Sequence, residues 1–190
     1  MPGEKYSAVF EVAVDNFGYI KVEQARALDV SPKTLHVMAK RGTLEHVSTG
    51  LYRVAALPPS AHSEYMEASL WPRGAQGVVS HDSALVLHDL SDVNPAKIHI
   101  TLPASYRITR PIPPVYAIHG ADLDDHDIEQ VNGIPVTTPE RTIVDCCRAH
   151  LGPALIRQAI EDGLRKGVLD ASGAERLRME CLGSPGSEHG

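Results

Sequence analysis

The sequence predicts an α+β protein in which a small N-terminal domain precedes a mixed α/β domain with a small sheet and C-terminal helices. Three observations support this fold class. Short helical segments and a β-hairpin pattern fill residues 1–57. Pro58-Pro59 then forms a stiff break and is the best candidate for a domain boundary. Strand-like and helix-like segments alternate over residues 58–182, and the polar, Gly-rich residues 183–190 are expected to be disordered.

The first two helices are predicted from the spacing of apolar residues. These residues recur at helical spacing over residues 6–16, and Gly18 follows the end of that helix. Residues 22–28, rich in Ala and Leu, form a short second helix.

The third helix has the clearest boundaries. Ser31 is predicted to accept hydrogen bonds from the free backbone N–H groups of the first turn, and Pro32 loses no hydrogen bond at the first helical position. The helix is predicted to run to Arg41, and Gly42 ends it.

A β-hairpin is predicted after the third helix. Residues 44–47 and 51–54 are strand-like and flank the three-residue turn Ser48-Thr49-Gly50. A helix, a short helix, a capped helix and a hairpin follow one another in the order of a winged helix-turn-helix.

The second half alternates between helices and strands. Ser80 and Thr138 are predicted to cap helices that run to His88 and His150. Asn132-Gly133 is predicted to join two strands in a tight hairpin. The remaining predictions are helices over 61–70, 153–166 and 171–181, and strands over 98–102, 115–119, 127–131 and 134–137. The sequence also predicts ion pairs one helical turn apart, namely Arg141–Asp145, Glu161–Arg165 and Asp162–Lys166.

Positive charge is concentrated near the N-terminus of an acidic chain. Residues 1–57 carry seven Lys/Arg and six Asp/Glu, whereas residues 58–190 carry eleven and eighteen. Four basic residues and one acid, Glu45, lie between Ser31 and Arg53. This stretch is therefore the candidate polyanion-binding surface.

The third helix is the candidate DNA-reading element. Leu35 and Met38 are predicted to pack against Leu28, which leaves the polar side chains of the helix outside. A helix fits the major groove, where polar side chains near its start reach base edges and cations near its end bind phosphates. The predicted DNA-binding residues are Lys33, Thr34, His36, Lys40 and Arg41 on the helix and Arg53 on the wing.

Cysteine usage and hydropathy argue against a secreted or membrane protein. The three cysteines form no C-x-x-C pair, and Cys146 and Cys147 are adjacent, which disfavours a disulfide framework or a zinc ribbon. No apolar run reaches the eighteen residues that a membrane span needs. The sequence therefore predicts a cytoplasmic protein with no membrane partner.

Metal and catalytic signatures are also lacking in the sequence. His81 and His88 are seven residues apart and are expected to share a helix face, but no further ligand completes a metal set. No phosphate-binding loop or nucleophile elbow is present. We predict no metal site, no cofactor and no catalytic residues, and hence not an enzyme.

A set of short segments, individually weak but fairly specific in their order, matches a known family. These segments are Gly18-Tyr19-Ile20, Ala25–Val30, Ser31–Gly42, Gly50-Leu51-Tyr52-Arg53, Ser80-His81-Asp82-Ser83-Ala84-Leu85, Ile98–Leu102 and Pro135–Thr142 with Asp145. Together they resemble the AbiEi-type antitoxins of type IV toxin–antitoxin systems, over roughly residues 6–180.

The resemblance implies one member of a bicistronic toxin–antitoxin pair. Such antitoxins repress their own promoter through the winged helix and counteract a nucleotidyltransferase toxin, usually without a stable complex, although direct binding occurs in related systems. The implied partners are promoter DNA and that toxin. An alternative is a protein-interaction module that neutralises the toxin by contact without significant DNA binding. An enzyme acting on nucleotides or on the toxin is a third reading, which the lack of a catalytic constellation disfavours.

Overall fold

A computed structural model describes residues 3–183 and divides the chain into two compact units, with the division between Gln76 and Gly77. Both units mix helices and strands, so the predicted α+β fold class is confirmed. Of the predicted tail, all but Gly183 lies outside the described residues.

The N-terminal unit contains four helices and a three-stranded sheet among its described residues. In chain order these are α1 (Glu4–Asp15), β1 (Tyr19–Lys21), α2 (Val22–Ala27), α3 (Pro32–Lys40), β2 (Leu44–Ser48), β3 (Leu51–Val54) and α4 (Ser63–Leu70). All four helices predicted in this stretch and both hairpin strands are present, with ends shifted by two residues at most.

Helix α3 begins and ends as its sequence predicts, within one residue. The hydroxyl of Ser31 accepts a hydrogen bond from the backbone N–H of Thr34 at 3.2 Å, and Pro32 is the first helical residue. Gly42 follows the helix with a φ of +75°, a left-handed conformation that glycine adopts without strain.

The small sheet has the strand order β1-β3-β2, with both pairings antiparallel. Strand β1 was not predicted. At the hairpin, Ser48 lies opposite Leu51, so the loop has two residues instead of the predicted three. A bulge at Val47, between the paired residues His46 and Ser48, takes up the extra residue of β2.

An aliphatic core fixes the orientation of α3. Leu35 is fully buried, and Leu28 and Met38 are partly buried against the same cluster, which confirms the predicted packing. The buried members of this cluster are Val9, Ala13, Ile20, Ala25, Val30, Leu35, Leu44, Tyr52 and Val54.

Contacts from β1 bring α4 and the segment after it into the N-terminal unit. The Tyr19 hydroxyl donates to a carboxylate oxygen of Glu67 at 2.8 Å. The ammonium group of Lys21 donates to the carbonyl oxygens of Pro72 and Ala75, each at 2.9 Å. The boundary predicted after residue 57 therefore lies inside this unit, which runs to Gln76.

The C-terminal unit is built on a five-stranded sheet of order β6-β5-β4-β8-β7. Its elements are β4 (Val78–Val79), α5 (His81–His88), β5 (Ile98–Leu102), β6 (Tyr116–Gly120), β7 (Ile128–Val131), β8 (Ile134–Thr137), α6 (Pro139–Arg148), α7 (Pro153–Lys166) and α8 (Ala171–Leu182). The β4–β8 and β5–β6 pairs are parallel and the others antiparallel. Asn132 and Gly133, both with positive φ, join β7 to β8 as predicted.

Ser80 and Thr138 occupy the predicted N-cap positions of α5 and α6, but their side chains do not cap the helices. Neither Ser80 nor Thr138 makes a side-chain hydrogen bond to the start of its helix. Ser80 instead accepts from the hydroxyl of Thr101 at 2.8 Å and contacts the ring of His81. Helix α6 starts on Pro139, which needs no hydrogen-bond acceptor at that position.

One of the three predicted ion pairs is present. Arg141 pairs with Asp145 at 3.0 Å, as expected. Asp162 pairs with Arg165 at 2.7 Å, three residues away, and Lys166 pairs with Asp89 from the end of α5. The periodicity of α7 cannot reveal a partner that another element supplies.

The helices of the C-terminal unit pack around a second aliphatic core. It comprises Leu85, Leu90, Ile143, Cys146, Ile156, Ala159, Ile160, Leu169, Ala174 and Leu177. Over residues 3–183, no helix combines the length and the apolar character needed to cross a bilayer.

Candidate nucleic-acid interface

One face of α3 exposes three of the six predicted DNA-binding residues to solvent. Lys33, His36 and Lys40 are exposed and lie three and four residues apart, so they form a stripe along the helix. Arg41 is exposed directly after the helix. Because Leu35 anchors the opposite face, this stripe is held outward by the core.

Thr34, a predicted DNA-binding residue, also takes part in the hydrogen bonds that cap α3. It is partly buried, its backbone N–H donates to Ser31, and the two hydroxyl oxygens are 2.9 Å apart. Its side chain is therefore tied to the helix cap.

Arg53 differs from the other candidates because its guanidinium already has partners. Its side chain is 14% exposed, and Nη2 lies 2.7 Å from Oε2 of Glu45. A second nitrogen donates to the carbonyl oxygen of Leu57 at 2.7 Å. The predicted wing cation is thus held on the sheet, and a contact with phosphate requires it to exchange Glu45 for the phosphate.

Residues 7–55 match the family model described as "Transcriptional regulator, AbiEi antitoxin". This match confirms the resemblance derived from the sequence for that segment, which runs from α1 to the residue after β3. All six predicted DNA-binding residues lie within the AbiEi-matching segment.

The whole fold has a counterpart among solved structures. The crystal structure of the RV2827C protein from Mycobacterium tuberculosis aligns over 92% of this chain and 71% of its own, with a TM-score of 0.54 and 16% identity. At this identity, the likeness concerns the fold alone. No match was found among curated proteins.

Two further residues, one on α3 and one next to it, were not among the predicted DNA-binding residues. Val37 is 36% exposed and lies one turn after Lys33 on the outward stripe. Lys5 of α1 lines an open cleft of about 620 Å³ together with Thr34 and Arg41. The exposed valine had no signal in the sequence, because an apolar residue on a short helix is ordinarily assigned to the core.

One of the two histidines considered as metal ligands, His81, lies in a cluster of three histidines. His81 does not pair with His88, whose Nε2 lies 2.7 Å from the carbonyl oxygen of Thr137. The ring of His81 instead contacts the rings of His99 and His119. The histidines were not predicted to meet, because they lie on three different elements.

Proposed function

We propose that this protein is an antitoxin that represses its own operon by binding promoter DNA and counteracts a nucleotidyltransferase-type toxin. The exposed cationic stripe on α3, within the AbiEi-matching segment, carries the DNA-binding part of the proposal. The antitoxin part rests on the family description and on the sequence resemblance.

The arrangement of the stripe suits a helix lying in the major groove. Lys33 and His36 lie in the first half of α3, where side chains reach base edges. Val37 offers an apolar contact to a thymine methyl group. Lys40 and Arg41, at the end of the helix, are placed to bind the phosphates on one side of the groove.

The binding test uses the full chain and duplex DNA from upstream of its own gene. Fluorescence anisotropy over a range of salt concentrations gives both affinity and salt dependence. Changing Lys40 and Arg41 to Ala removes two phosphate contacts, so the slope of log affinity against log salt falls by about 2. Lys33→Ala is expected to change the preference between sequences, with a loss of about 1–3 kcal/mol on the preferred site.

A matched control removes the same charges elsewhere. Lys97 and Arg157 are exposed in the C-terminal unit. Their double replacement by Ala changes the net charge equally and is expected to leave the salt slope unchanged. Equal slopes for the two double variants would contradict the assigned orientation of α3.

The antitoxin role is tested by co-expression with the product of the adjacent gene. We expect the full chain to restore growth, and the Lys40→Ala/Arg41→Ala variant to restore it equally while losing repression. Co-purification of the two proteins would establish the direct-contact mechanism, for which the acidic second half offers a surface. Failure of the full chain to restore growth would refute the antitoxin role.

A further inference from the structure

Three histidine side chains of the C-terminal unit meet on one face of its sheet. His81 is the first residue of α5, His99 lies on β5 and His119 lies on β6. One ring nitrogen from each lies within 4.8 Å of the other two. Nε2 of His119 is 3.1 Å from Nδ1 of His99, and the rings of His81 and His119 stack with centroids 3.6 Å apart.

The register of the sheet explains why His99 and His119 meet. Strands β5 and β6 are parallel, with His99 opposite Ala117 and Thr101 opposite His119. Side chains two residues apart on a strand share a face, so both rings project to the same side of neighbouring strands.

The backbone places the third ring over this pair. The N–H of Ser80 donates to the carbonyl oxygen of His99 at 3.0 Å, which fixes the start of α5 beside β5. His81 then adopts a φ of +53°, a left-handed conformation that is uncommon for residues other than glycine. Such conformations cost free energy and cluster at functional sites.

Burial disfavours the protonated form of the three rings. It lowers the pKa of His81 to about 3, and it also lowers the pKa values of His99 and His119. A neutral imidazole has one free lone pair to offer a metal ion.

Hydrogen bonds connect the ring of His81 to Ser80 and, through Ser80, to Thr101. Nδ1 of His81 is 3.0 Å from the hydroxyl oxygen of Ser80, which in turn accepts from the hydroxyl of Thr101. When Nδ1 carries the proton and donates to Ser80, Nε2 is left with its lone pair. Outer hydrogen bonds of this kind fix the tautomer and orientation of histidine ligands in metal sites.

We propose that His81, His99 and His119 bind one Zn²⁺ ion through Nε2 of His81, Nδ1 of His99 and Nε2 of His119. The last two nitrogens are 3.1 Å apart, as in a hydrogen bond, and Zn²⁺ binding replaces this bond with a separation of about 3.3 Å at Zn–N distances of about 2.0–2.1 Å. Zn²⁺ binding requires the ring of His119 to turn out of its stack with His81, because each ligand ring must point its in-plane lone pair at the ion.

An open cleft borders two of the three rings and would supply a fourth ligand position. His81 and His119 line an open cleft of about 510 Å³, together with Thr101, Arg141 and Asp145. Three protein ligands with one open position is the pattern of zinc sites that hold a water molecule or an exchangeable ligand. Arg141 pairs with Asp145 at 3.0 Å and with Asp127 at 2.7 Å, so its charge beside the three rings is balanced by carboxylates.

A second group of candidate ligands lacks these features and serves as a control. Asp124, His126 and Asp127 also lie within reach of one another, but the side chains of Asp124 and His126 are each 79% exposed. Exposed acidic groups of this kind are common without a metal ion.

The test measures Zn²⁺ binding to the full-length, untagged protein after chelator treatment and dialysis. Isothermal titration calorimetry is expected to give one Zn²⁺ per chain, and Co²⁺ is expected to give the visible absorption of a tetrahedral site. Ser80→Ala is expected to weaken binding by roughly 10–100-fold, as loss of an outer-shell partner does. His99→Ala and His119→Ala are expected to weaken it further, whereas His126→Ala leaves it unchanged.

Nuclear magnetic resonance of the wild-type histidine rings keeps the test independent of variant folding. Zn²⁺ is expected to shift the nitrogen resonances of His81, His99 and His119 and to leave those of His36 and His126 in place. Binding that survives in both His99→Ala and His119→Ala would overturn the proposal. Shifts confined to His126, or no binding at millimolar Zn²⁺, would overturn it equally.

Discussion

Arg53 and Glu45 lie directly opposite each other on β3 and β2, with Nη2 of Arg53 2.7 Å from Oε2 of Glu45. Nε of Arg53 donates to the same oxygen at 3.0 Å. The wing therefore presents an ion pair where the sequence suggested a single positive charge, and the pair sets how strongly the wing attracts a phosphate.

Replacing Glu45 with Ala is expected to strengthen DNA binding. Arg53 then loses its carboxylate partner and becomes available to a phosphate, so the slope of log affinity against log salt steepens by about 1. Anisotropy titrations of wild type, Glu45→Ala and Glu45→Ala/Arg53→Ala measure this slope. The double variant is expected to return to the wild-type slope. Glu23→Ala, which removes an exposed acid on α2, is the control for net charge. Identical slopes for the single and double variants would show that Arg53 never reaches the DNA.

Loss of the Ser31 cap is expected to destabilise the N-terminal unit. In Ser31→Ala the N–H of Thr34 loses its acceptor, which costs about 1 kcal/mol of the free energy of unfolding. Urea denaturation followed by circular dichroism measures the change. Ser31→Asn keeps a capping oxygen and is expected to stay near wild type. An equal loss in both variants would mean that the hydroxyl contributes through something other than the cap.

Gly163 is the position on α7 where a larger residue meets the core. A Cβ atom there would lie 2.6 Å from Cδ1 of Leu169, which is buried. Gly163→Ala is therefore expected to cost about 1–3 kcal/mol, although alanine favours a helix more than glycine does. In a Leu169→Ala background the clash is gone, so the same change is expected to be neutral or stabilising. Thermal and urea unfolding of the four proteins gives the coupling. A coupling near zero would remove the steric explanation.

Local sequence signals predicted the N-terminal fold because its decisive features are short-range. The cap at Ser31 acts across three residues, and Gly42 and Gly50 end a helix and turn a hairpin within their own neighbourhoods. Strand β1 had no such signal. Its three residues pair with β3, where Ile20 lies opposite Tyr52, and this pairing joins residues that are far apart in the sequence.

In the candidate sites, too, local features could be predicted from the sequence and contacts between distant residues could not. The outward positions on α3 follow from helical periodicity once Leu35 is assigned to the core. The partner of Arg53 depends on the strand register, since Glu45 and Arg53 face each other only in the observed pairing. The histidine cluster depends on the parallel register of β5 and β6, which are joined by a long connection with no periodic pattern. Spacing along the chain therefore gave no reason to group His99 with His119.

The cap of α8 is expected to make stability depend on pH in acid solution. The carboxylate of Asp170 accepts from the backbone N–H of Gly173 at 2.6 Å and from the hydroxyl of Ser172 at 2.8 Å. These hydrogen bonds favour the ionised form, and the pKa of Asp170 is therefore lowered from its ordinary value of 3.8. The stabilisation is present above pH 3.8 and is lost as the pH falls through the lower folded-state pKa.

Carboxyl resonances followed by nuclear magnetic resonance during an acid titration report this pKa, which is expected to lie below 3.8. Unfolding free energies measured over the same range are expected to fall less steeply for Asp170→Asn than for wild type, because the amide keeps a capping oxygen but does not titrate. Asp15→Asn removes an equal charge at the end of α1, where no helix N-terminus is present, and serves as the control. A titration of Asp170 at or above its ordinary value would show that the cap does not favour the charged carboxylate.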